Sequence, residues 1–303
     1  MCRKPSHENH RPVRGLAAAL LALALAVPPI YAQAGSERDA LWSLLLLPGR
    51  HISVRYTPGS LDRASRVQQR LEPLAQEIGS WSGGSTPLAV FVISREEWEQ
   101  IGIGLPYGFP ARLPGRLLAL AAWGDDGTVD LWQGLLGGAL PESEPGFATG
   151  SPSALASLEV CDLLGSVEAT RMVLEKAGLS GGELWVTEIL THTAYLAARW
   201  QGNPRRGPDD DVRRATASRA GGALPLSAYG EGLSMEDWLW FQSAFHRGAR
   251  ELLERRGPRV ARALLRTAQK GDGRLRAAEL LDRYPEVGDW RRNTFASESP
   301  ARP

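Results

Sequence analysis

The spacing of hydrophobic and polar positions predicts two regions, the first of strands with helices and the second of helices. Residues 51–58 alternate as a strand does. A helix should follow a cap at Ser60, because apolar residues then recur at helical intervals, at Ala64, Val67, Leu71, Leu74 and Ile78. The apolar run 87–94 predicts a buried strand, and REEWEQIG after it predicts a short helix.

The next segments predict a hairpin and then a helical region. Residues 116–123 and 128–133 flank the turn signal GDDG, which is typical of two paired strands. Residues 134–153 are rich in Gly, Pro and Ser and predict a boundary loop. Residues 201–224 mix charge with Gly and Pro, which favours a mobile loop or a functional flap. Helices are expected at about 154–177, 183–200, 233–256, 258–270 and 275–283.

These elements predict an α+β fold, in which a small N-terminal unit of sheet and helix is followed by a mainly α-helical unit. Composition agrees with a globular chain, since 43% of the 303 residues are hydrophobic and 23% are charged. The expected divisions are a signal peptide (1–34), a sheet subdomain (35–150), a helical subdomain (151–292) and a disordered tail (293–303).

The N-terminal segment predicts export. Basic residues precede the apolar run LAAALLALALAV, and small residues up to Ala34 favour cleavage after that position. The mature chain should therefore be secreted or periplasmic. An uncleaved anchor is the alternative, and it is the one route by which we expect the protein to meet a membrane. The run is shorter than the roughly 18 residues that a membrane span needs.

Charge and cysteine content restrict the partners and the sources of stability. Residues 1–34 carry a net +3, and subtracting it from the formal +1 of the whole chain leaves −2. A chain of that charge has no electrostatic reason to bind nucleic acid. Cys161 is the one cysteine after the signal, so the mature chain cannot form an internal disulfide.

Two consecutive predicted helices carry acids among apolar residues. Glu168 and Arg171 lie one turn apart on the first, and Glu188 lies within the apolar run LWVTEIL of the second. Glu188 should be buried and paired, because an isolated acid among apolar side chains is costly. Glu168 and Arg171 have two interpretations: a site, or an ordinary exposed pair at i and i+3 that contributes little.

The same segments resemble the active-site region of gluzincins, zinc peptidases of the peptidase MA-like group. Val167–Arg171 falls where H-E-x-x-H would lie, and Trp185–Glu188 is similar to the W-x-x-E that carries the third zinc ligand. The segments at 235–257 and 284–292 are similar to the helical tail of such secreted proteins. The resemblance implies a gluzincin-like architecture, with Glu168 as the vestige of the general base.

The resemblance breaks at both positions that should supply imidazole. Val167 and Arg171 have no lone pair to donate to zinc, so we expect zinc to be absent and no other cofactor to be bound. We hypothesise that the guanidinium of Arg171 replaces the metal charge and pairs with Glu188 and with Glu168. Glu168, Glu188 and His192 are of suitable types to form a residual metal site. The alternative is that His192 is a hydrogen-bonded core residue.

Three further side chains could support the site. Tyr229 lies close in sequence to the region where the family often has an aromatic hydroxyl, Trp238 occupies that region itself, and Trp185 opens the W-x-x-E-like segment. We expect a non-catalytic, peptidase-like protein that binds a peptide or protein partner in the former substrate cleft. The alternatives are a hydrolase with an altered Glu-based or unconventional metal site, and an envelope scaffold unrelated to peptidases.

Overall fold

The computed structural model describes most of the chain after residue 40. The described residues are 41–83, 87–136, 140, 151–200, 222–230 and 232–296. The predicted signal peptide, residues 137–139 and 141–150 of the boundary loop, and residues 201–221 of the loop or flap lie outside them. The chain divides into the units Met1–Ser43 and Leu44–Pro303, and every strand and helix named in this section belongs to the second unit. No helix within the described stretches has the length and apolar character to cross a membrane.

Seven short strands form two sheets among the described residues. They are β1 (Leu45–Leu47), β2 (Ile52–Tyr56), β3 (Leu88–Ile93), β4 (Ala111–Leu113), β5 (Leu117–Ala121), β6 (Ser180–Gly181) and β7 (Arg274–Leu275). The larger sheet has the order β1-β2-β3-β5-β4. Its three inner strands are parallel, and β1 and β4 pair antiparallel at the two edges. The strands predicted at 51–58, 87–94 and 116–123 are confirmed as β2, β3 and β5.

Helices pack against this sheet and make up most of the later described chain. They are α1 (Leu61–Ser82), α2 (Arg95–Gln100), α3 (Asp126–Leu135), α4 (Pro152–Lys176), α5 (Leu184–Ala198), α6 (Met235–Arg256), α7 (Arg259–Lys270), α8 (Ala277–Arg283) and α9 (Pro285–Thr294). A 3₁₀ turn covers Leu226–Ala228. All the helices predicted beyond residue 153 are present. The helix α9 runs past residue 293, where the sequence predicts the start of a disordered tail, and Phe295 after it is buried.

One predicted strand is wrong, because residues 128–133 lie inside α3 and form no hairpin with β5. Asp125 caps this helix: its carboxylate accepts the N–H of Thr128 at 2.8 Å, and its own N–H donates to the Thr128 hydroxyl at 2.8 Å. This reciprocal arrangement is a capping box. Trp132 then faces inward and is fully buried. The segment GDDG is therefore a helix start rather than a strand turn.

The main core lies between the sheet, α1 and the later helices. The apolar stripe predicted on α1 is buried, as are the facing residues of β2, β3 and β5. The helix α4 packs on both β5 and α1. Gly165 allows the close approach to β5, since a Cβ at that position would lie 2.7 Å from Leu120 Cδ2. The result is an α+β fold with a small mixed sheet and a majority of helices, which confirms the predicted fold class.

Candidate functional site

The helices α4 and α5 bring the predicted site residues together. The hydroxyl of Ser151 caps α4 by accepting the N–H of Ala154, and Pro152 stands in its first turn. The helix is long and almost entirely buried over its middle, so Glu168 is enclosed. The helix α5 packs against α4 and also along α6. Glu188, in its second turn, is 2% exposed.

Arg171 lies between the two acids. Its Nη2 is 2.5 Å from Glu188 Oε2 and 3.5 Å from Glu168 Oε1. The side chains of all three residues are largely buried, with the Arg171 side chain 13% exposed. The hypothesis that Arg171 pairs with both acids is confirmed. The alternative of an ordinary exposed pair is wrong, because Arg171 points into the interior toward a second helix.

Two further side chains complete the contacts of Glu188. The hydroxyl of Tyr229 donates to Glu188 Oε1 at 2.6 Å. The amide of Gln242, on α6, donates to Glu188 Oε2 at 3.4 Å and to the Tyr229 oxygen at 3.1 Å. The ring of Tyr229 packs against Phe241 and Phe245, which fixes the position of its hydroxyl. Both carboxylate oxygens of Glu188 are therefore engaged by donors. We call the set of Glu168, Arg171, Glu188, Tyr229 and Gln242 the ion cluster.

His192 contacts the amide oxygen of Gln242, whose amide nitrogen faces Glu188. Its Nε2 lies 3.0 Å from Gln242 Oε1, and its ring meets the ring of His246 edge to face at 5.8 Å. His192 is completely buried, which agrees with the interpretation as a hydrogen-bonded core residue. In the described part of the chain, no three His, Cys, Asp or Glu side chains are grouped so that they could hold a metal ion.

The residues present do not fit the zinc site that the resemblance implies. Val167 is buried in the apolar core and offers no donor atom. The guanidinium nitrogen of Arg171 is in direct contact with Glu188, the residue that the resemblance would make the third ligand. The carboxylate of Glu188 is therefore already in contact with a cation, which is the guanidinium of the protein's own Arg171.

The edge strand β4 reaches the ion cluster through a residue that the sequence did not single out. Arg112 Nε is 4.0 Å from Glu168 Oε2, and its Nη2 is 2.6 Å from Glu175 Oε2. Glu168 Oε2 is buried and has no hydrogen-bond partner. Gln242 was also missed, although an amide side chain within the largely apolar run WLWFQSAF is a usable signal. No pattern in the sequence points to Arg112.

Burial and charge shift the pKa values of three groups in the ion cluster. Burial raises the pKa of Glu188, and its contact with Arg171 opposes the rise without cancelling it. For Arg171, burial lowers the pKa, but Glu168 and Glu188 outweigh that effect and the net direction is upward. Burial, followed by the charge of Glu188, raises the pKa of Tyr229. Arg171 therefore stays charged, and Tyr229 stays a hydrogen-bond donor.

The other predicted side chains make their ring contacts elsewhere. Trp185 lies under the guanidinium of Arg291, at 5.5 Å. Trp238 meets Phe109 edge to face at 5.3 Å, which joins α6 to the segment before β4. Cys161 is fully buried, and burial raises the pKa of its thiol to about 12, so it is not a nucleophile at neutral pH.

A second buried ion pair involves Asp162, nearer the start of α4, and was also missed. Arg63 of α1 contacts Asp162 through both terminal nitrogens, at 2.5 and 2.7 Å, and its Nε donates to the carbonyl of Ala121 at 3.2 Å. Arg70 lies 3.6 Å from the same carboxylate. A usable signal was the isolated Asp162 in the apolar sequence VCDLLG.

Comparison of the chain with protein-family models, with curated proteins and with solved structures finds no match in any of the three.

Proposed function

We propose that this is an exported, non-catalytic, gluzincin-like protein that binds an extended peptide segment of a partner beside the ion cluster. The architectural part is supported by the order of elements. A mixed sheet precedes the helix that carries Glu168, and Glu188 follows on the next helix and approaches the same point. This support is a resemblance of layout, and function must be argued from the site itself.

The contact between Arg171 and Glu188 is the observation that carries the non-catalytic part. Hydrolysis of the gluzincin kind needs a metal that activates water next to the general base. Here an arginine side chain, held at 2.5 Å, occupies the contact with Glu188 and also faces Glu168. Its positive charge favours the ionised form of Glu188, and a guanidinium cannot lower the pKa of a bound water as a Lewis acid does.

The edge strand supports the peptide-binding part. Among the described strands β4 ends the sheet, so one side of its backbone has no neighbouring strand. An extended peptide can add to such an edge and use its main-chain hydrogen bonds for affinity. Arg112, the central residue of β4, connects this edge to Glu168 and Glu175. A bound peptide would therefore lie directly next to the ion cluster.

A second candidate function, hydrolysis with an altered site, is favoured by one observation. Glu168 Oε2 is an acceptor without a hydrogen bond, as a general base would have before substrate binds. Under this alternative the protein cleaves a peptide and Glu168→Gln abolishes the cleavage. Incubation of the purified protein with a mixed peptide library, followed by mass spectrometry of the products, separates the two candidates. We expect no cleavage by either the wild type or the variant.

The binding proposal is tested with a random peptide library displayed on phage. We expect enriched sequences whose synthetic peptides bind the purified protein, and loss of that binding in Arg112→Pro, because proline removes an edge-strand N–H. Arg112→Ala separates the backbone effect from the loss of the ion pairs. Leu46→Pro is the matched control, since Leu46 is the exposed central residue of β1 at the opposite edge.

Two results would contradict the proposal. One is a library that yields no peptide with saturable binding. The other is equal loss of binding in Arg112→Pro and Leu46→Pro when circular dichroism shows both variants to be folded. Binding that survives Arg112→Ala but not Arg112→Pro assigns the affinity to the backbone of β4.

A further inference from the structure

A cationic cavity opens between α7 and α8, apart from the ion cluster. Its volume is about 570 Å³, within the range of roughly 300 to 1,000 Å³ that small-molecule sites occupy. None of its lining residues belongs to the ion cluster. The polar and aromatic side chains that line it are Arg266, Thr267, Lys270, Glu279, Arg283 and Tyr284.

The residues that line the cavity carry more positive than negative charge. No carboxylate of the described residues forms a salt bridge with Arg266, Lys270 or Arg283, whereas Arg262 on the same helix pairs with Glu77. Glu279 is the one acid in the lining, and its carboxylate accepts the N–H of Arg276 at 3.2 Å. The C-terminus of α7 adds about half a negative charge, so a net charge of roughly +1.5 remains.

One of the three cations is held in place by the cavity wall. Arg283 Nη1 donates to the hydroxyl oxygen of Thr267 at 2.5 Å, and that hydroxyl donates to the carbonyl of Ala263 at 3.0 Å. This bond fixes the guanidinium of α8 against α7, and the remaining N–H groups of Arg283 stay available. A guanidinium positioned in advance loses less freedom when it binds a ligand.

We propose that this cavity binds an anionic ligand through a phosphate or similar oxyanion group. The guanidinium groups of Arg266 and Arg283 offer the paired N–H donors that match phosphate oxygens, and Lys270 adds a point charge. The chain after residue 34 has a formal charge of −2, whereas the cavity lining is positively charged. The site is separate from the proposed peptide site, and neither proposal depends on the other.

Calorimetric titration of the full chain with inorganic pyrophosphate tests the proposal. We expect saturable binding that weakens with added salt and falls at least tenfold in Arg266→Gln and in Arg283→Gln. Arg259→Gln is the matched control, because Arg259 is an exposed arginine of the same helix outside the cavity. Arg283→Lys, which keeps the charge and changes the donor geometry, should bind between the wild type and Arg283→Gln.

A second arm of the experiment separates a free ligand from a lipid headgroup. Sedimentation with vesicles of phosphatidylglycerol, against vesicles of phosphatidylcholine, measures binding to a membrane phosphate. Loss of vesicle binding in Arg266→Gln but not in Arg259→Gln supports the headgroup as the source. Binding of neither pyrophosphate nor anionic vesicles overturns the proposal, and so does equal weakening by Arg259→Gln and Arg266→Gln.

Discussion

Arg171 is the residue on which the electrostatics of the site depend, because it faces two buried carboxylates at once. Glu168 and Glu188 lie on different helices, and the same guanidinium nitrogen contacts both. Two buried acids without a cation would repel each other and would lose their hydration. Arg171 is therefore the member of the set whose removal should matter most.

We expect Arg171→Met, which keeps much of the volume and removes the charge, to lower the free energy of unfolding by about 3 to 5 kcal/mol at neutral pH. Arg112→Met is the matched control. The Arg112 side chain is 37% exposed, and an exposed pair contributes less than about 1 kcal/mol. Urea denaturation of both variants measures the difference. Similar losses in the two variants would show that Arg171 is no more than a surface partner.

The titration of Glu188 gives a pH dependence of known sign. Burial raises its pKa above the usual value of 4.5. A carboxyl group with a higher pKa in the folded state binds more protons there than in the unfolded chain. Its contribution to stability is therefore fully present below about pH 4.5 and is lost as the pH rises through the folded-state value. Glu188→Gln removes this titration.

The unfolding free energy of the wild type minus that of Glu188→Gln should consequently fall as the pH rises above about 4.5. Urea denaturation of both proteins from that pH to neutral pH measures the change, and Glu175→Gln on α4 is the matched control. A difference that grows with pH would mean that Arg171, rather than burial, determines the titration of Glu188.

At the scale of elements, the hydrophobic pattern predicted the long segments and failed at one capped helix start and at one short strand. The helical spacing of apolar residues identified α1, and the continuous apolar run of residues 87–94 identified β3. The turn signal GDDG predicts a hairpin with residues 128–133 as its second strand, but the capping box at Asp125 starts a helix there. The strand β4 was missed because three residues are too few to show a period.

In the candidate site, features that depend on residues close in sequence could be predicted, and contacts between distant segments could not. Burial and pairing of Glu188 could be predicted, since the apolar residues around it lie on its own helix. The pairing of Arg63 with Asp162, 99 positions apart, and the approach of Arg112 to α4 could not. These contacts depend on which strand lies next to which helix, and that information is absent from any short segment.

Two helical glycines test how tightly the elements pack. A Cβ at Gly248 of α6 would lie 2.4 Å from the ring of Trp290, which is buried, whereas a Cβ at Gly134 of α3 would meet nothing within 4 Å. We expect Gly248→Ala to destabilise the protein by about 1 to 3 kcal/mol through overpacking. Gly134→Ala should stabilise it by about 0.5 to 1 kcal/mol through helix propensity. Thermal unfolding of both variants checks the opposite signs, and equal signs would contradict the packing of α9 on α6.

At the scale of the whole molecule, α4 is the element that joins the sheet region to the later helices. Asp162 and Glu159 pair with arginines of α1, Glu168 and Glu175 face Arg112 of β4, and Arg171 pairs with α5. Ionic contacts therefore extend from α4 in three directions. The geometry of the ion cluster depends on the fold of the unit from Leu44 onward, because no single helix could hold both acids against one guanidinium.

Introducing the two imidazoles that the gluzincin resemblance calls for tests whether this frame has the layout of a zinc peptidase. In Val167→His/Arg171→His the two new side chains lie one turn apart on α4, the second at the position whose side chain contacts Glu188, and they supply imidazole donors of the kind that a tetrahedral zinc site needs. We expect the double variant to bind close to one zinc per chain by metal analysis. At free zinc 100-fold above the dissociation constant, the bound metal should add about 2.7 kcal/mol to the free energy of unfolding.

The controls for this experiment remove one ligand at a time. Arg171→His alone should bind zinc weakly, and adding Glu188→Gln to the double variant should abolish binding, because three protein ligands are required. The wild type should show no rise in unfolding temperature with zinc and no fall with a chelator, since Arg171 already contacts Glu188. A folded double variant with no affinity for zinc would show that positions 167, 171 and 188 do not share the gluzincin layout. Stoichiometric zinc in the purified wild type would show instead that the guanidinium has not replaced the metal.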